Sequence, residues 1–561
     1  MKKIIKTLIL SLLIGIICGS SGSENIAVQP QVPDDTHDIP QPESRDIDLY
    51  TYAIDKLFAM PLRRTFELSR LLRKLSGNPK QALNTDAYDK AVDSSWFTIR
   101  NALQPLTLEE IRRGPDSSGQ LGPDTTGKWT IVRAKAEGIT PGFTIRDSSG
   151  NYFIIKFDPP GYSELATGAE VVSTKLFYAA GFHVPENNIT IFHPDILVMG
   201  EEVKFTDKKG NERFMNHDDL EDILERIHYL PDGRIRALAS KYIEGIPLGP
   251  FRYEGTRGDD PNDMIPHEHR RELRGLRIIC AWLNHFDTKA GNSFDAYVTD
   301  NGRKYVRHYL MDFGSTLGSA AHGPVPLHVG TEYVVDVKRI LINYLSLGLY
   351  RYPFEKAGNQ EITYPSIGYY TSEVFRPWDY KPNMPNPAFL NMTNRDGLWA
   401  AGIVMSFSDE QLKAAVDQGQ YSDPEAAGFL LRVLKERRDI IGRYWFGLMN
   451  PLDTFSIREK AGNQELSFTD MAVRAGFEQQ AAASYTYRIN NYETGKTITK
   501  GTVSSTSIPL LEISALSGDV CDVTIKTKRG ANGGWSTWIK VFLQPDKYND
   551  RYKLLGISRE E

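Results

Sequence analysis

The sequence has 561 residues, a length that allows several domains of ordinary size and a well-buried core. Hydrophobic residues make up 40% and charged residues 24%, which excludes a chain that is disordered throughout, fibrous or embedded in a membrane over most of its length. The 66 Lys and Arg against 71 Asp and Glu leave a net charge of -5. Because no local basic patch stands out in the sequence, we expect no nucleic-acid partner.

The N-terminus has the character of a secretory signal. Three lysines within the first six residues precede an apolar run from Leu8 to Cys18, and small residues follow. The run is too short for a spanning helix, so we expect a signal peptide over residues 1–21 and an exported protein that is periplasmic, membrane-anchored or extracellular. A second interpretation stays open, in which Cys18 carries a lipid that tethers the chain to a membrane. Ile17 is bulkier than the residue that usually precedes such a cysteine.

The next two segments differ in composition. Residues 22–48 are rich in Pro, Asp, Gln and Ser with few apolar residues, which favours a disordered linker. Residues 49–128 contain helical periodicity with arginines on the opposite face, which indicates an N-terminal helical extension. Its apolar positions are Ile54, Leu57, Leu62, Phe66, Leu68 and Leu71.

Residues 129–245 mix strands with one helix. Strands are expected at 129–132 and 152–157, and the turn residues 147–150 precede the second of them. A helix from about Gly168 to Ala180 ends at Gly181. Further strands are expected at 189–199 and 236–243, with a polar excursion at 201–232 between them.

Residues 246–455 are mainly helical, and the chain ends in a β module. Pro266 opens a helix, a hairpin joins 296–298 to 309–311, and helical stretches occupy 334–348 and 408–449.

Residues 464–561 alternate polar and apolar residues in short runs, which predicts an all-β, sandwich-like domain that could bind a ligand at the cell surface. Trp535 and Trp538 either stack on a sugar or fill the core of this module, and we favour the core. The predicted fold class is α+β.

Two motifs carry the chemistry. His285-Phe286-Asp287-Thr288-Lys289-Ala290-Gly291-Asn292 matches the pattern H-x-D-x-K-x-x-N, and Met311-Asp312-Phe313-Gly314 follows after the hairpin. On these motifs the stretch from about Trp129 to residue 449 resembles the protein-kinase-like superfamily. Its first part is more similar to HipA-type and CotH-type bacterial kinases. The resemblance implies a bilobal fold, with an N-lobe over 129–245 and a C-lobe over 246–455.

The resemblance also implies an active site that uses ATP and Mg²⁺. Asp287 would be the catalytic base at the acceptor hydroxyl, and Lys289 would lie near the transferring phosphoryl group. The hard oxygens of Asn292 and Asp312 suit Mg²⁺. His285 would brace the loop. Lys156, which ends an apolar strand, is expected to bind the nucleotide phosphates. Its partner on the next helix is Glu170, with Glu164 as the alternative. Gly138 and Gly142 lie in the turn that would cover the nucleotide.

Some features depart from the family pattern. The turn 136–142 has two glycines but no G-x-G-x-x-G, and no Ala-Pro-Glu segment follows Asp-Phe-Gly. Two of these residues also have a purely structural explanation. Lys156 could be a lysine at a strand end that reaches solvent, and Glu170 could complete a capping box that begins at Thr167. We expect an atypical kinase that transfers the γ-phosphoryl of ATP to a hydroxyl on a protein or small molecule. The alternatives are a pseudokinase that acts as a binding or scaffold protein, and a nucleotidyl (AMP) transferase on the same fold.

Overall fold

The computed structural model describes residues 32–116, 118–135, 142–207, 210–356, 362–460, 462–510, 520–530, 533–546 and 551–561. Helices and several β-sheets occur together within this part of the chain, so the predicted α+β class is confirmed. The expected signal peptide with Cys18, and Gly138 of the covering turn, lie outside the described residues. No described helix is both long and apolar enough to cross a membrane.

Residues 34–48, expected to belong to a disordered linker, form an extended segment that is bonded to later parts of the chain. Ile39 is buried, and its N–H donates to the carbonyl of Lys304 at 2.9 Å. The buried carboxylate of Asp35 accepts from the N–H of Ser95 at 2.7 Å and lies 3.3 Å from the guanidinium of Arg270. The prediction of disorder is wrong here, because backbone bonds and buried ion pairs fix a segment whose own composition could not form a core.

The buried face of the helical extension is not the one that the apolar periodicity predicted. Tyr52, Lys56 and Met60 are buried, and their spacing of four residues places them on one side of the helical segment. Phe66, by contrast, is 82% exposed and Leu62 is 61% exposed. The elements are α1 (Leu49–Ile54), a π-helical turn (Asp55–Ala59), α2 (Met60–Thr65), α3 (Leu68–Leu75) and α4 (Leu108–Arg113).

A seven-stranded sheet with one helix on each face makes up the N-lobe. Its strand order is β4-β7-β3-β2-β1-β5-β6, and all neighbours are antiparallel except β1 and β5. The elements are β1 (Trp129–Lys135), β2 (Gly142–Arg146), β3 (Tyr152–Lys156), α5 (Leu165–Ala180), β4 (Asn187–Phe192), β5 (Leu197–Thr206), β6 (Glu212–Phe214), α6 (His217–Leu224) and β7 (Ile235–Lys241). The single strand expected over 189–199 is divided into β4 and β5, because a 3-10 turn with proline at its first position (Pro194–Ile196) interrupts it.

The alternation of side chains along β3 decides where Lys156 lies. Phe153 and Ile155 are buried in the sheet's main core, whereas Tyr152 and Ile154 are exposed. Side chains of period two share a face, so Lys156 belongs to the face opposite that core. On this second face Val171 of α5 packs against Leu238 of β7. Lys156 therefore shares a face of the sheet with α5.

The C-lobe is built around one buried helix. Every residue of α7 except Arg277 is buried, and α7 packs against α11 and α13. The C-lobe also contains a three-stranded sheet of order β10-β9-β8. The elements are β8 (Ile246–Gly249), α7 (Arg271–Leu283), β9 (Ser293–Asp300), β10 (Arg303–Leu310), β11 (Ser319–Ala320), β12 (Gly323–Pro324), α8 (Val337–Leu345), α9 (Pro353–Lys356), α10 (Pro387–Leu390), α11 (Asn394–Val404), α12 (Asp409–Asp417) and α13 (Pro424–Leu448).

Two sheets with a common core form the C-terminal module. Their strand orders are β13-β14-β17 and β16-β15-β18-β19-β20. The module begins at Leu452, earlier than the expected 464. Trp535 is 51% exposed and Trp538 lies half-buried under Lys526, so neither fills the core as we had favoured. The elements are β13 (Leu452–Lys460), β14 (Asn463–Asp470), α14 (Met471–Arg474), β15 (Ala483–Asn491), β16 (Thr497–Val503), β17 (Ser507–Pro509), β18 (Cys521–Arg529), β19 (Ile539–Asp546) and β20 (Arg551–Arg559).

Candidate active site

Lys156 lies between two carboxylates that are distant from each other in the sequence. Its Nζ donates to Glu170 Oε1 at 2.9 Å and to Glu170 Oε2 at 3.2 Å, and to Asp312 Oδ1 at 3.0 Å. Glu170 is almost fully buried, whereas half of the Asp312 side chain is exposed. The lysine thus joins the N-lobe helix α5 to the motif that follows β10.

The electrostatics of this cluster keep the lysine charged. Burial lowers the pKa of Lys156, but the carboxylates of Asp312 and Glu170 outweigh it, and the net pKa is raised. The ammonium of Lys156 in turn holds the pKa of Asp312 below its usual value. Burial raises the pKa of Glu170 against the opposing effect of Lys156. At neutral pH Lys156 and Asp312 therefore form a charged pair at the mouth of the site.

The Asp-Phe-Gly segment is fixed by packing on α5. Phe313 is fully buried, and its ring stacks on Phe177 with centroids 4.6 Å apart. The N–H of Phe313 also donates to the Glu170 carboxylate. A Cβ on Gly314 would lie 3.3 Å from Glu170 Oε2, so glycine is the residue that allows this close approach. The same helix that holds Lys156 therefore also holds the backbone beside Asp312.

A second cluster occupies the loop after α7. Lys289 Nζ donates to Asp287 Oδ2 at 2.9 Å, and Asn292 Nδ2 donates to the same oxygen at 3.0 Å and to the Asp287 carbonyl at 2.8 Å. Asn292 is buried at the end of a 3-10 turn (Ala290–Asn292), while Asp287 and Lys289 are partly exposed. These bonds fix the orientation of the Asp287 carboxylate.

The two clusters are adjacent. The N–H of Met311 donates to the carbonyl of Asn292 at 3.1 Å, which places Asp312 next to the loop. His285 is buried against Phe313, and its Nδ1 lies 3.3 Å from the carbonyl of Ser315. Burial lowers the pKa of His285, so it is neutral at pH 7 and braces the loop by packing and hydrogen bonding. Lys156, Glu170, Asp287, Lys289, Asn292 and Asp312 are thus gathered in one region.

The donor set fits a magnesium nucleotide. Asn292 uses its amide N–H groups on Asp287, which leaves its amide oxygen as a ligand. Among the described residues there is no cluster of three or more His, Cys, Asp or Glu side chains that could hold a metal. Two hard protein oxygens are nevertheless what Mg²⁺ uses when phosphates and water complete its shell. Asn292 and Asp312 would hold the ion, and Lys156 would contact the phosphates.

The remaining predicted residues divide into those that reach the site and those that do not. Gly142 starts β2 and pairs with Lys156, and a Cβ there would lie 3.0 Å from the Ile155 carbonyl. Glu164, the reserve partner for the lysine, instead accepts from the N–H of Ser422 in the C-lobe. The capping box suggested for Glu170 does not form, because the hydroxyl of Thr167 donates to Asp158.

Three supporting residues were missed by the sequence reasoning. Asp158 accepts from the N–H groups at the start of α5, at Ala166 and Thr167 among others. Asn187 Nδ2 lies 3.4 Å from Glu170 Oε1. The Tyr52 hydroxyl of the extension accepts from the N–H of Ala290 in the loop 285–292, at 3.4 Å. Only Asp158 carried a signal, since an aspartate shortly before a helix is a common cap.

These contacts bring together a lysine on a strand, a glutamate on a helix, the loop 285–292 and the Asp-Phe-Gly segment, which is the arrangement that the resemblance to kinases implied. Neither a comparison with protein-family models nor one with curated proteins gives a match.

Similarity to solved structures is weak. The Helicobacter pylori proinflammatory kinase CtkA is 16% identical, with 56% of this chain and 93% of that chain covered and a TM-score of 0.28. A Golgi casein kinase is 10% identical, with 60% and 73% covered and a TM-score of 0.30. A Golgi casein kinase structure with Mn and ADP bound is 12% identical, with 54% and 75% covered and a TM-score of 0.23. Such low scores carry no argument.

Proposed function

We propose that this chain is an ATP- and Mg²⁺-dependent kinase that transfers the γ-phosphoryl group to a hydroxyl on a protein or small molecule. The observation that carries the proposal is the bridge of Lys156 between Glu170 and Asp312, at 2.9 and 3.0 Å. A solvent-reaching lysine needs no such partners. A lysine that must present a fixed positive charge to phosphates needs both anchoring and a site beside the metal ligands.

In this proposal Asp287 acts as the base. Lys289 and Asn292 both donate to its Oδ2, and none of the described residues donates to its Oδ1. Oδ1 can therefore accept the proton of an incoming hydroxyl while the other oxygen is held. The Lys289 ammonium, 2.9 Å from Asp287, supplies positive charge beside the reacting group.

With nucleotide and metal bound, Lys156 would contact the phosphates and Asp312 would hold Mg²⁺. ATP supplies the phosphoryl group, and Mg²⁺ supplies the charge that stabilises its transfer. Lys156 keeps Glu170 as its buried anchor, while the half-exposed Asp312 is the carboxylate that can turn from the lysine to a metal. The difference in burial between the two carboxylates supports this division of roles.

The test uses ATP labelled in two positions with the purified full chain. Transfer of label from the γ-position to an acceptor or to the protein itself, in the presence of Mg²⁺, is the expected result. Label transferred only from the α-phosphate would identify a nucleotidyl transferase. Nucleotide binding without any transfer over a range of hydroxyl acceptors would identify a pseudokinase. Asp287→Asn is the control, because it removes the base and leaves the metal ligands in place.

Export is part of the proposal. The lysines and the apolar run that ends at Cys18 support secretion, either as a free protein or with a lipid tether. The test compares cell fractions for the full chain and for Cys18→Ser. A tethered protein would move from the membrane fraction to the soluble exported fraction in the variant. Full-length chain that stays in the cytoplasm in both cases would contradict export.

A further inference from the structure

A second concave site lies between the helical extension and the C-lobe. It is a cavity of about 770 Å³, lined by α2 and α3 on one side and by the N-terminal part of α7 and α10 on the other. Its cationic side chains are Arg63, Arg64, Arg70, Arg73, Lys80 and Arg274. No basic patch stood out in the sequence, where Arg274 is far from the four arginines and Lys80 of the extension. The tertiary structure assembles one.

Several of these cations have no carboxylate partner. Arg64 donates to the Asn391 side chain at 3.0 Å and to the Leu390 carbonyl at 3.1 Å, and Arg70 donates to the Arg64 carbonyl at 2.9 Å. Over the described part of the chain, no carboxylate lies within ion-pair distance of Arg64, Arg70 or Lys80. Burial, and then the charge of Arg70, lower the pKa of Arg64. The arginines thus repel each other across a shared space.

The three carboxylates in the lining do not neutralise that charge. Glu254 is paired with the buried Lys56, which lies outside the cavity. Glu268 accepts from the N–H of Gly255 at 2.8 Å, and Glu67 lies 3.5 Å from Arg73. Of the six cations, Arg63 is paired with Asp55, Arg73 with Glu67 and Arg274 with Asp396, so Arg64, Arg70 and Lys80 are the ones whose charge has no carboxylate partner among the described residues. A concave surface with this excess of positive charge is complementary to an anion.

We propose that this cavity binds a small anion that bears several phosphate groups. Arginine guanidinium groups match phosphate oxygens in pairs, and a cavity of this volume is within the range of ordinary ligand sites. The phosphates could belong to a free ligand or to a lipid headgroup. The exposed Leu62 and Leu68 lie on the same two helices and the exposed Phe66 lies in the turn between them, where a membrane surface could contact all three.

The first arm of the test is calorimetric titration of the full chain with inositol hexakisphosphate, without Mg²⁺ or nucleotide. Binding is expected. The double variant Arg64→Gln/Arg70→Gln should weaken it at least about tenfold, because two unpaired guanidinium groups are lost. Lys80→Gln serves as a second variant, since its side chain makes no hydrogen bond to the described residues, and it should weaken binding by about threefold.

Two controls separate this site from other positive charge. Arg112→Gln removes an exposed arginine from α4, outside the cavity, and should leave the affinity unchanged. Asp312→Ala alters the candidate active site and should also leave it unchanged. No binding, an equal loss in Arg112→Gln, or a loss in Asp312→Ala with none in the arginine variants would overturn the proposal.

The second arm distinguishes the source of the phosphates. The full chain is sedimented with phosphatidylcholine vesicles with and without phosphatidylglycerol. A lipid headgroup would be identified if sedimentation requires the anionic lipid and is lost both in the double variant Arg64→Gln/Arg70→Gln and in the single variant Phe66→Ser. Binding of the soluble probe without sedimentation would identify a free ligand. Absence of binding in both arms would refute the proposal. None of these readouts depends on kinase activity.

Discussion

At the scale of single residues, the candidate site depends on how one lysine is shared. Lys156 has a buried partner, Glu170, and a half-exposed partner, Asp312, at nearly equal distances. The buried carboxylate has lost its hydration and gains most from staying with the lysine. The exposed one can exchange the lysine for a metal at little cost in solvation. The two carboxylates are therefore chemically alike but suited to different tasks.

Removal of Asp312 tests the metal site. We expect Asp312→Ala to abolish Mg²⁺-dependent nucleotide binding, because the ion loses its carboxylate ligand. Metal-free nucleotide should bind the variant at least as well as the wild type, since Lys156 loses a competing anion. Titration with a fluorescent ATP analogue, with and without Mg²⁺, measures both effects. Asp417→Ala, which removes an exposed aspartate from α12, is the matched control. Unchanged Mg²⁺-dependent binding in Asp312→Ala would contradict the assignment.

The base is tested by a substitution of nearly equal shape. Asp287→Asn should lower kcat by about 10²–10⁴-fold, because an amide cannot accept the proton of the attacking hydroxyl. Nucleotide affinity should change little, since Asn292 and Asp312 remain. Single-turnover kinetics together with nucleotide titration separate the two quantities. An unchanged kcat would show that another group accepts the proton.

At the scale of elements, α5 positions both halves of the site, and its ends are fixed by specific residues. Asp158 accepts backbone N–H groups at its start, and Gly181 ends it with φ at +119°. A Cβ on Gly181 would lie 2.3 Å from the ring of Phe97. The left-handed backbone and this contact both require glycine, so the end of α5 is coupled to the extension.

Two glycine substitutions make a matched pair. Gly181→Ala should destabilise the protein by about 2–4 kcal/mol, because the methyl group meets Phe97 and the backbone is strained. Gly428→Ala, on an exposed position of α13 with no atom within 4 Å of the added Cβ, should stabilise it by up to about 1 kcal/mol. Urea unfolding measures both free energies. Equal effects of the two substitutions would contradict the argument.

At the scale of the whole molecule, one buried aspartate joins three parts of the chain. The Asp89 carboxylate of the extension lies 2.6 Å from Arg271 of α7, 2.7 Å from Arg395 of α11 and 3.7 Å from Arg559 of β20. Burial opposes ionisation, but the arginines outweigh it and lower the pKa of Asp89 to about 2. The extension, the C-lobe and the β module are therefore held together by one charge.

This linkage predicts a specific pH dependence. Asp89→Asn should reduce the free energy of unfolding by roughly 2 kcal/mol or more at pH 7, since the folded pKa lies below the unfolded one. The carboxylate stabilises the fold above its unfolded pKa near 3.8, and this stabilisation is lost as the pH falls through about 2. The deficit of the variant should thus shrink to about half at pH 3. Urea unfolding at both pH values measures it, and an equal deficit at both would contradict the mechanism.

The sequence could predict those parts of the site whose signal is carried by a short, continuous stretch of residues. The loop 285–292 and the Asp-Phe-Gly segment are contiguous motifs. The alternation of side chains along β3 fixes the face of the sheet on which Lys156 lies. Glu170 followed from the resemblance, which implies a carboxylate partner for the lysine on the next helix. The roles of these residues stay predictions until they are tested, but their proximity is a property of the fold. Signals of this kind depend only on residues that are close together along the chain, so they can be recognised in the sequence.

By itself, the sequence determined the α+β class, the strand that carries Lys156, the helix that carries Glu170, and the residues that could meet at a nucleotide. Only the tertiary structure decided which face of the extension is buried, that residues 34–48 are bound, and that the arginines and Lys80 of the extension share a cavity with Arg274. Those outcomes depend on contacts between residues far apart in the chain. The hydrophobic pattern of one segment cannot show which distant surface will cover it, because burial is a property of both partners.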